Sequence, residues 1–231
     1  MECRIRRWRI EDANDIAETL NNKKVLDNLR DGIPFPYTVE DAKEFIQAMN
    51  VADPETTFSF AITVDDKAIG SIAAFRQSNI HSKTAEVGYY IAEPYWGKGL
   101  GTSAIRQICE YIFRNTDISR LFAEPFAHNI GSCRILEKSG FQLEGTLRKN
   151  AVKNGVVVDM KMYSLQNAEE VAGFSSIPPI YTNQTKIAAY YFDLLMRTKD
   201  MLKKAISTAP EADRSHYDLL IYRINKATEI E

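Results

Sequence analysis

The chain has 231 residues, 45% of them hydrophobic, and a formal net charge of −2. That is enough apolar material for one large domain, or one domain plus an appendage, and the charge gives no general reason to expect nucleic-acid binding. No apolar run reaches the roughly 18 residues of a membrane span, the chain opens into a strand pattern without a signal-peptide core, and the widely spaced Cys3, Cys109 and Cys133 fit reduced thiols in a cytoplasm better than a disulfide framework or a zinc site.

Residues 2–9 alternate and are rich in arginine, as in a first strand with one wet face. Glu11-Asp12 opens a helix that carries Ile16 and Leu20 on one side. A short helical turn over Val25 to Leu29 is broken by Gly32, Pro34 and Pro36. Thr38 to Asp41 reads as an N-cap, and Ala42, Phe45, Ile46 and Met49 give the next helix its apolar face. Phe58–Val64 and Ala68–Phe75 form a hairpin across Asp65-Asp66. A third strand, Thr84–Ala92, feeds a glycine-rich turn. A helix over Thr102–Arg114, with Ile105, Ile108, Cys109 and Ile112 at helical spacing, follows. Leu121–Phe126 is a strand, Ile130–Ser139 a helix stopped by Gly140. Phe141–Leu147 and Val156–Tyr163 close as a hairpin across Asn154-Gly155. The order β-α-α-β-β-β-α-β-α-β-β is that of a mixed α/β layer fold over residues 1–167. Residues 168–183, with Pro178-Pro179, read as a linker. Residues 184–231 read as two amphipathic helices, which need an apolar surface to dock on: the main domain, a second copy of the chain, or a partner.

The most informative stretch runs from Glu86 to Ala104, a strand, a turn with Gly97, Gly99 and Gly101, and a helix start. Glycines allow positive φ and close approach of the backbone to a ligand. The first amides of a helix lack internal partners and carry the positive end of the helix dipole. Together they make a cradle for a phosphorylated cofactor. A dinucleotide loop is the obvious rival. It is disfavoured because the preceding strands read as an antiparallel meander, and no acidic residue ends a second parallel strand at the expected distance.

The turn, Trp96-Gly97-Lys98-Gly99-Leu100-Gly101, resembles the acetyl-CoA motif of the GNAT acetyltransferases, Gln/Arg-x-x-Gly-x-Gly/Ala. Trp96 departs from it in the manner of the ribosomal-protein N-acetyltransferase branch. A second segment, Asn129-Ile-Gly-Ser132-Cys-Arg-Ile-Leu136-Glu-Lys-Ser-Gly140-Phe141 followed by Glu144-Gly145, resembles that branch's other cofactor segment. The resemblance covers about residues 2–165.

It implies a mostly antiparallel central sheet in which one parallel pair, the strands at 84–92 and 121–126, splays to admit the cofactor. Pro125, without an N–H, suits the place where pairing lapses. The pantetheine arm would satisfy unpaired backbone groups of Tyr90, Ile91 and Ala92. The amides of Gly97, Lys98, Gly99, Leu100, Gly101 and Thr102 would hold the pyrophosphate, with the Lys98 side chain near the phosphates or in solvent. Asn129 and Ser132, one helical turn apart, would contact the pantetheine. The implied activity is transfer of the acetyl group of acetyl-CoA to a primary amine, a protein N-terminus or a small molecule, by direct attack in a ternary complex. No metal, membrane or nucleic acid is expected.

Such chemistry needs a base for the amine proton, a donor for the oxyanion and a proton for the leaving thiolate. Glu86 is the candidate base, or else a solvated strand carboxylate. Glu124 would bind the amine or lie solvated at the sheet edge. The tyrosine that many family members place seven residues after the asparagine is Leu136 here, so Ser132 is the candidate proton donor. Cys133 reads as a packing residue, since no histidine partner is evident, and His128 as a loop residue. The missing tyrosine also admits a non-catalytic acyl-CoA-binding or assembly module. Segments Asp31–Tyr37 and Lys149–Val157 are expected to line the acceptor side.

Overall fold

The structure, a computed structural model, describes residues 2–167. The linker and helical hairpin expected over 168–231 lie outside the described residues. Strands β1 (Arg4–Arg6), β2 (Thr57–Val64), β3 (Lys67–Arg76), β4 (Thr84–Ile91), β5 (Arg120–Ala123), β6 (Gln142–Lys153) and β7 (Val156–Gln166) are interspersed with helices α1 (Ala13–Leu20), α2 (Lys23–Leu26), α3 (Val39–Val51), α4 (Leu100–Asn115) and α5 (Ile130–Lys138). The strands form a 7-stranded sheet in the order β1-β2-β3-β4-β5-β7-β6. Every neighbouring pair is antiparallel except β4 and β5, which run parallel.

Local chemistry explains most element ends. Thr38 and Asp41 form the expected capping box, with Asp41 N–H on Thr38 Oγ1 at 3.1 Å and Thr38 N–H on the Asp41 carboxylate at 2.7 Å. At the other end of a helix, Gly140 takes φ +95°, and Phe141 N–H returns to the Leu136 carbonyl at 3.1 Å. That pattern needs a left-handed residue, which glycine supplies without a Cβ penalty. Asp65 and Asp66 both adopt positive φ, the backbone of a tight two-residue hairpin turn whose twist matches the strands it joins.

Several bounds move: β5 ends at Ala123 rather than Phe126, and β6 runs on to Lys153 rather than ending at Leu147. The first strand is three residues rather than 2–9. Beyond Arg6 the chain leaves the sheet: the Arg6 guanidinium grips Asp12 with two bonds of 2.8 Å, and the buried Trp8 indole donates to Ser59 Oγ at 2.9 Å. The short helix after α1 begins earlier than expected, at Lys23, because Asn22 caps it through Lys24 N–H.

Each face of the sheet carries its own core. Helices α4 and α5 cover one face with Leu100, Ala104, Ile105, Ile108, Ile112, Cys133 and Leu136, packed on Phe58, Phe60, Ile62, Ile72, Val87 and Ile91. Helices α1 and α3 cover the other through Ile16, Ala17, Leu20, Ala42 and Ile46, with Trp8 and Tyr37. Ile105, Ile108 and Ile112 are fully buried, each contributing roughly 1.5–3 kcal/mol of apolar burial.

Strand β3 lies against β4 at Gly70 with no room for a side chain. A methyl group added there would lie 2.2 Å from the Tyr90 carbonyl oxygen, and that neighbour is backbone of a central strand. Gly70→Ala should therefore destabilise the protein by about 1–3 kcal/mol, the usual cost of overpacking. Urea unfolding measures this, and a wild-type midpoint would contradict the close approach.

Candidate active site

The site begins where β4 and β5 part. They pair only at Thr84↔Arg120, Ala85↔Leu121 and Glu86↔Phe122. Beyond that the two chains follow different neighbours. Strand β4 stays with β3 as far as Ile91. The chain after β5 stays with β7, through Lys161 N–H on the Pro125 carbonyl (3.0 Å) and Ala127 N–H on the Asp159 carbonyl (2.8 Å). A gap thus opens between β4 and the segment Ala123–Ala127, and Pro125 has no N–H to offer across it.

Register decides which backbone groups face the gap. Ala92 N–H donates to the Ile69 carbonyl at 2.8 Å, so 69/92 is a hydrogen-bonded pair of the antiparallel ladder. Pairs alternate along such a ladder. Tyr90, opposite Ser71, therefore also spends its peptide groups on β3. Those of Tyr89 and Ile91 are directed to the other side, where β5 has departed. The sequence expectation of Tyr90, Ile91 and Ala92 is thus corrected: the peptide groups facing the gap are those of Tyr89 and Ile91. One of them is already engaged, since the Ile91 carbonyl accepts from the Trp96 indole at 2.7 Å. Trp96 thereby ties the glycine turn to the end of β4.

The turn itself has the expected form. Gly97 and Gly99 take φ +73° and +78°, with open space where a Cβ would stand. Gly99 is the N-cap of α4, which starts at Leu100 rather than Thr102. The first α4 amide to donate within the helix is that of Ser103, to the Gly99 carbonyl at 3.1 Å. The N–H groups of Leu100, Gly101 and Thr102 precede it and lack helical acceptors. Gly101 also serves the packing of two helices. A methyl there would lie 2.7 Å from Ile135 Cδ1, so its lack of a side chain lets α4 approach α5. The Lys98 ammonium sits 5.4 Å from the Tyr95 ring centre, within the range of a cation–π contact.

On the far side of the gap, Asn129 caps α5. Its Oδ1 accepts from Ser132 N–H at 3.0 Å, and its Nδ2 has no hydrogen-bond partner among the described residues. Ser132 Oγ lies 2.7 Å from the Tyr89 hydroxyl, which is also 3.2 Å from the Ser132 carbonyl. Burial pushes the Tyr89 phenol well above its ordinary range, so it is present as a neutral hydrogen-bonding group. Leu136 is fully buried, and Cys133 is buried beside it in the core, as a packing residue would be. His128 stacks on Phe126.

The opposite face of β4 carries Glu86, Gly88 and Tyr90, since side chains alternate along a strand. Glu86 pairs in register with Phe122, and Glu124 follows two residues later on the same side. The Arg30 guanidinium, from the segment after α2, joins the two carboxylates. It bonds Glu86 through both terminal nitrogens, the longer contact at 3.3 Å, and reaches Glu124 at 3.5 Å. Burial, then the nearby Glu86 charge, raises the Glu124 carboxyl above its usual range, with Arg30 opposing both. A Cβ built on Gly88 would meet open space, so the strand offers room between the carboxylates and Tyr90. The rim of this space carries Asp31, paired with Lys153 at 2.7 Å, and Asp27, which accepts from Asn154 at 2.9 Å. The Asp31–Lys153 contact joins the two segments expected on the acceptor side.

The structure therefore gathers Glu86 with Glu124, and Ser132 with Asn129, around one gap. Arg30 and Tyr89 were not legible as site residues. Arg30 lies in no motif. From the sequence, Tyr89 is one of four aromatics, with Tyr90, Tyr95 and Trp96, that pack around the glycine turn or line the acceptor pocket, although counting two-residue alternation from Glu86 would have directed it toward α5.

Comparison with known proteins agrees with this geometry. The model of the Acetyltransferase (GNAT) domain family matches residues 3–142. The probable N-acetyltransferase YjcK of Bacillus subtilis is 34% identical over 137 residues, 58% of this chain and 76% of that protein. The ribosomal-protein-serine acetyltransferase of Escherichia coli is 26% identical over 132 residues, covering 56% and 73%. Among solved structures, the microcin C7 self immunity acetyltransferase MccE, in complex with acetyl-CoA and AMP, superposes with a TM-score of 0.63 at 25% identity, over 72% of this chain and 93% of that one.

The raised Glu124 carboxyl has a consequence for stability. Its pKa in the folded state lies above the ordinary 4.5. Stability linked to it is thus present below the unfolded value and is lost as pH rises through the folded one. Glu124→Gln, which stays neutral, should melt slightly above wild type at pH 7, and the difference should close as pH falls toward 4. Thermal unfolding at the two pH values checks the sign.

Proposed function

The chain belongs to the GNAT acetyltransferase family, and we propose that it moves the acetyl group of acetyl-CoA to a primary amine by direct attack within a ternary complex. The observation that carries this reading is the parting of β4 and β5 after Glu86↔Phe122, on a strand that runs into a left-handed glycine cradle. The gap offers the peptide groups of Tyr89 and the Ile91 N–H, the Ile91 carbonyl being held by Trp96, for an extended amide-bearing arm, which binds as an added strand would. The cradle offers the amides of residues 97–102 for a pyrophosphate. Asn129, its oxygen occupied by the cap, has its Nδ2 left to donate to a carbonyl of the arm. These groups fit a coenzyme A ester.

Acetyl-CoA supplies a thioester already activated toward amines. Glu86 accepts the proton that the amine loses as its nitrogen bonds to the acetyl carbon, and its partly exposed carboxylate can pass that proton to water. Glu124 sits beside it as a second carboxylate for the acceptor cation. The Ser132 hydroxyl donates a hydrogen bond to the sulfur as the carbon–sulfur bond breaks. When the Tyr89 phenol donates to Ser132 Oγ, the Ser132 proton is free to turn into the gap. The phenol absent at Leu136 is thus replaced by one from β4 acting through the serine, which weakens the alternative of a non-catalytic acyl-CoA-binding module. The acceptor is proposed to be a protein N-terminus or a small amine. The three free cysteines, all buried, suit action in the cytoplasm.

A screen of acetyl-CoA consumption against amines and peptide N-termini tests the reading. Glu86→Gln should lower kcat about 10²–10⁴-fold with little change in the KM for acetyl-CoA. The loss should be largest below the pKa of the amine and should shrink above it, where the amine is already neutral. A variant fully active across that range would remove Glu86 from the reaction. Ser132→Ala and Tyr89→Phe should each reduce kcat about tenfold, and the double variant no further than Ser132→Ala alone, because both act on one proton. Additive losses would show that Tyr89 only supports the packing.

A further inference from the structure

We infer that Arg30 is a specificity determinant, occupying one half of a two-carboxylate site so that the enzyme accepts amines bearing a single positive charge and disfavours polyamines. The inference rests on the proposed acceptor side of the reaction. Glu86, from β4, and Glu124, from the segment just after β5, converge onto one guanidinium. Both carboxylates are largely enclosed, whereas the Arg30 side chain is 59% exposed. The cation is therefore laid over the pair from the solvent side, where an entering acceptor would come.

Charge accounting gives the selectivity. Two carboxylates and one guanidinium leave one net negative charge, which matches one ammonium group. Arg30 cannot lose its proton to make room, because guanidinium stays charged throughout the working pH range. Among the described residues, the two rim aspartates have no charge to spare for a second ammonium on the same acceptor. Asp31 is matched by Lys153 and Asp27 by Lys23, both at 2.7 Å. That second ammonium would instead meet Arg30, and juxtaposed like charges reject a partner. The open space over Gly88 leaves a single unbranched amine a path between the carboxylates and Tyr90 without displacing the guanidinium.

A purely structural Arg30, clamping the loop after α2 onto β4 and β5, would impair all acceptors alike. The experiment separates the two by comparing wild type, Arg30→Gln and Arg30→Lys as full-length chains. Acetylation of spermine and of a neutral peptide with a free N-terminus is measured for each. The ratio of kcat/KM for spermine over the peptide should rise at least about tenfold in Arg30→Gln and stay near wild type in Arg30→Lys, which keeps the charge. Spermine binding to each protein saturated with coenzyme A is measured by calorimetry in parallel, and Arg30→Gln should bind about tenfold tighter. If wild type acetylates no amine, the proposed reaction fails, while the calorimetric comparison still decides the role of Arg30. An unchanged ratio with unchanged spermine affinity overturns the inference, as does a proportional loss toward both acceptors.

Discussion

The whole site depends on how three parallel residue pairs come to an end. Strand β4 has a committed antiparallel neighbour in β3, and the chain beyond β5 has one in β7. Between these two ladders the parallel contact persists only from Thr84 to Glu86. Backbone groups inside a protein must find partners, so a sheet that opens in its middle keeps its unpaired edge only where something else completes it. Here the opening lies next to a helix start with unpaired amides. An elongated, amide-bearing, phosphorylated ligand answers both deficits at once.

Strand alternation then divides the labour. Each residue of β4 serves one face, and the two faces of the sheet have separate cores. Glu86 and Gly88 look toward α1 and α3, where Arg30 and the rim aspartates arrive. Tyr89 looks toward α5 and meets Ser132. Four consecutive residues thus place a carboxylate on one face of the sheet and a phenol on the other, with a glycine leaving space between. A one-residue slip of register would exchange these faces. The closeness of Gly70 to the Tyr90 carbonyl shows how tightly β3 holds β4 in its register.

Much of this was legible in the chain itself. The glycines at 97 and 99 announce left-handed backbone and Gly140 a stop; each is a local demand that only a few residue types meet. The hairpin turns at Asp65-Asp66 and Asn154-Gly155 are of the same kind. Less legible were the ends of elements set by distant contacts. The chain leaves β1 after Arg6, whose guanidinium is held by Asp12 and Asp66. Helix α4 starts two residues before the position expected from sequence because Gly99 caps it in a left-handed conformation, and a glycine run does not say which of its members will do so.

By itself the sequence determined the order of the elements and the cradle, because those features follow from short-range backbone preferences and spacing; Glu86, Asn129 and Ser132 were marked for attention by the resemblance to the GNAT family. Only the tertiary structure decided which peptide groups of β4 face the gap, that Arg30 lies over Glu86 and Glu124, and that the Tyr89 hydroxyl meets Ser132. Those pairings join residues from 43 to 94 positions apart. They arise from sheet register and strand order, which are settled by the packing of the whole domain rather than by any segment of it.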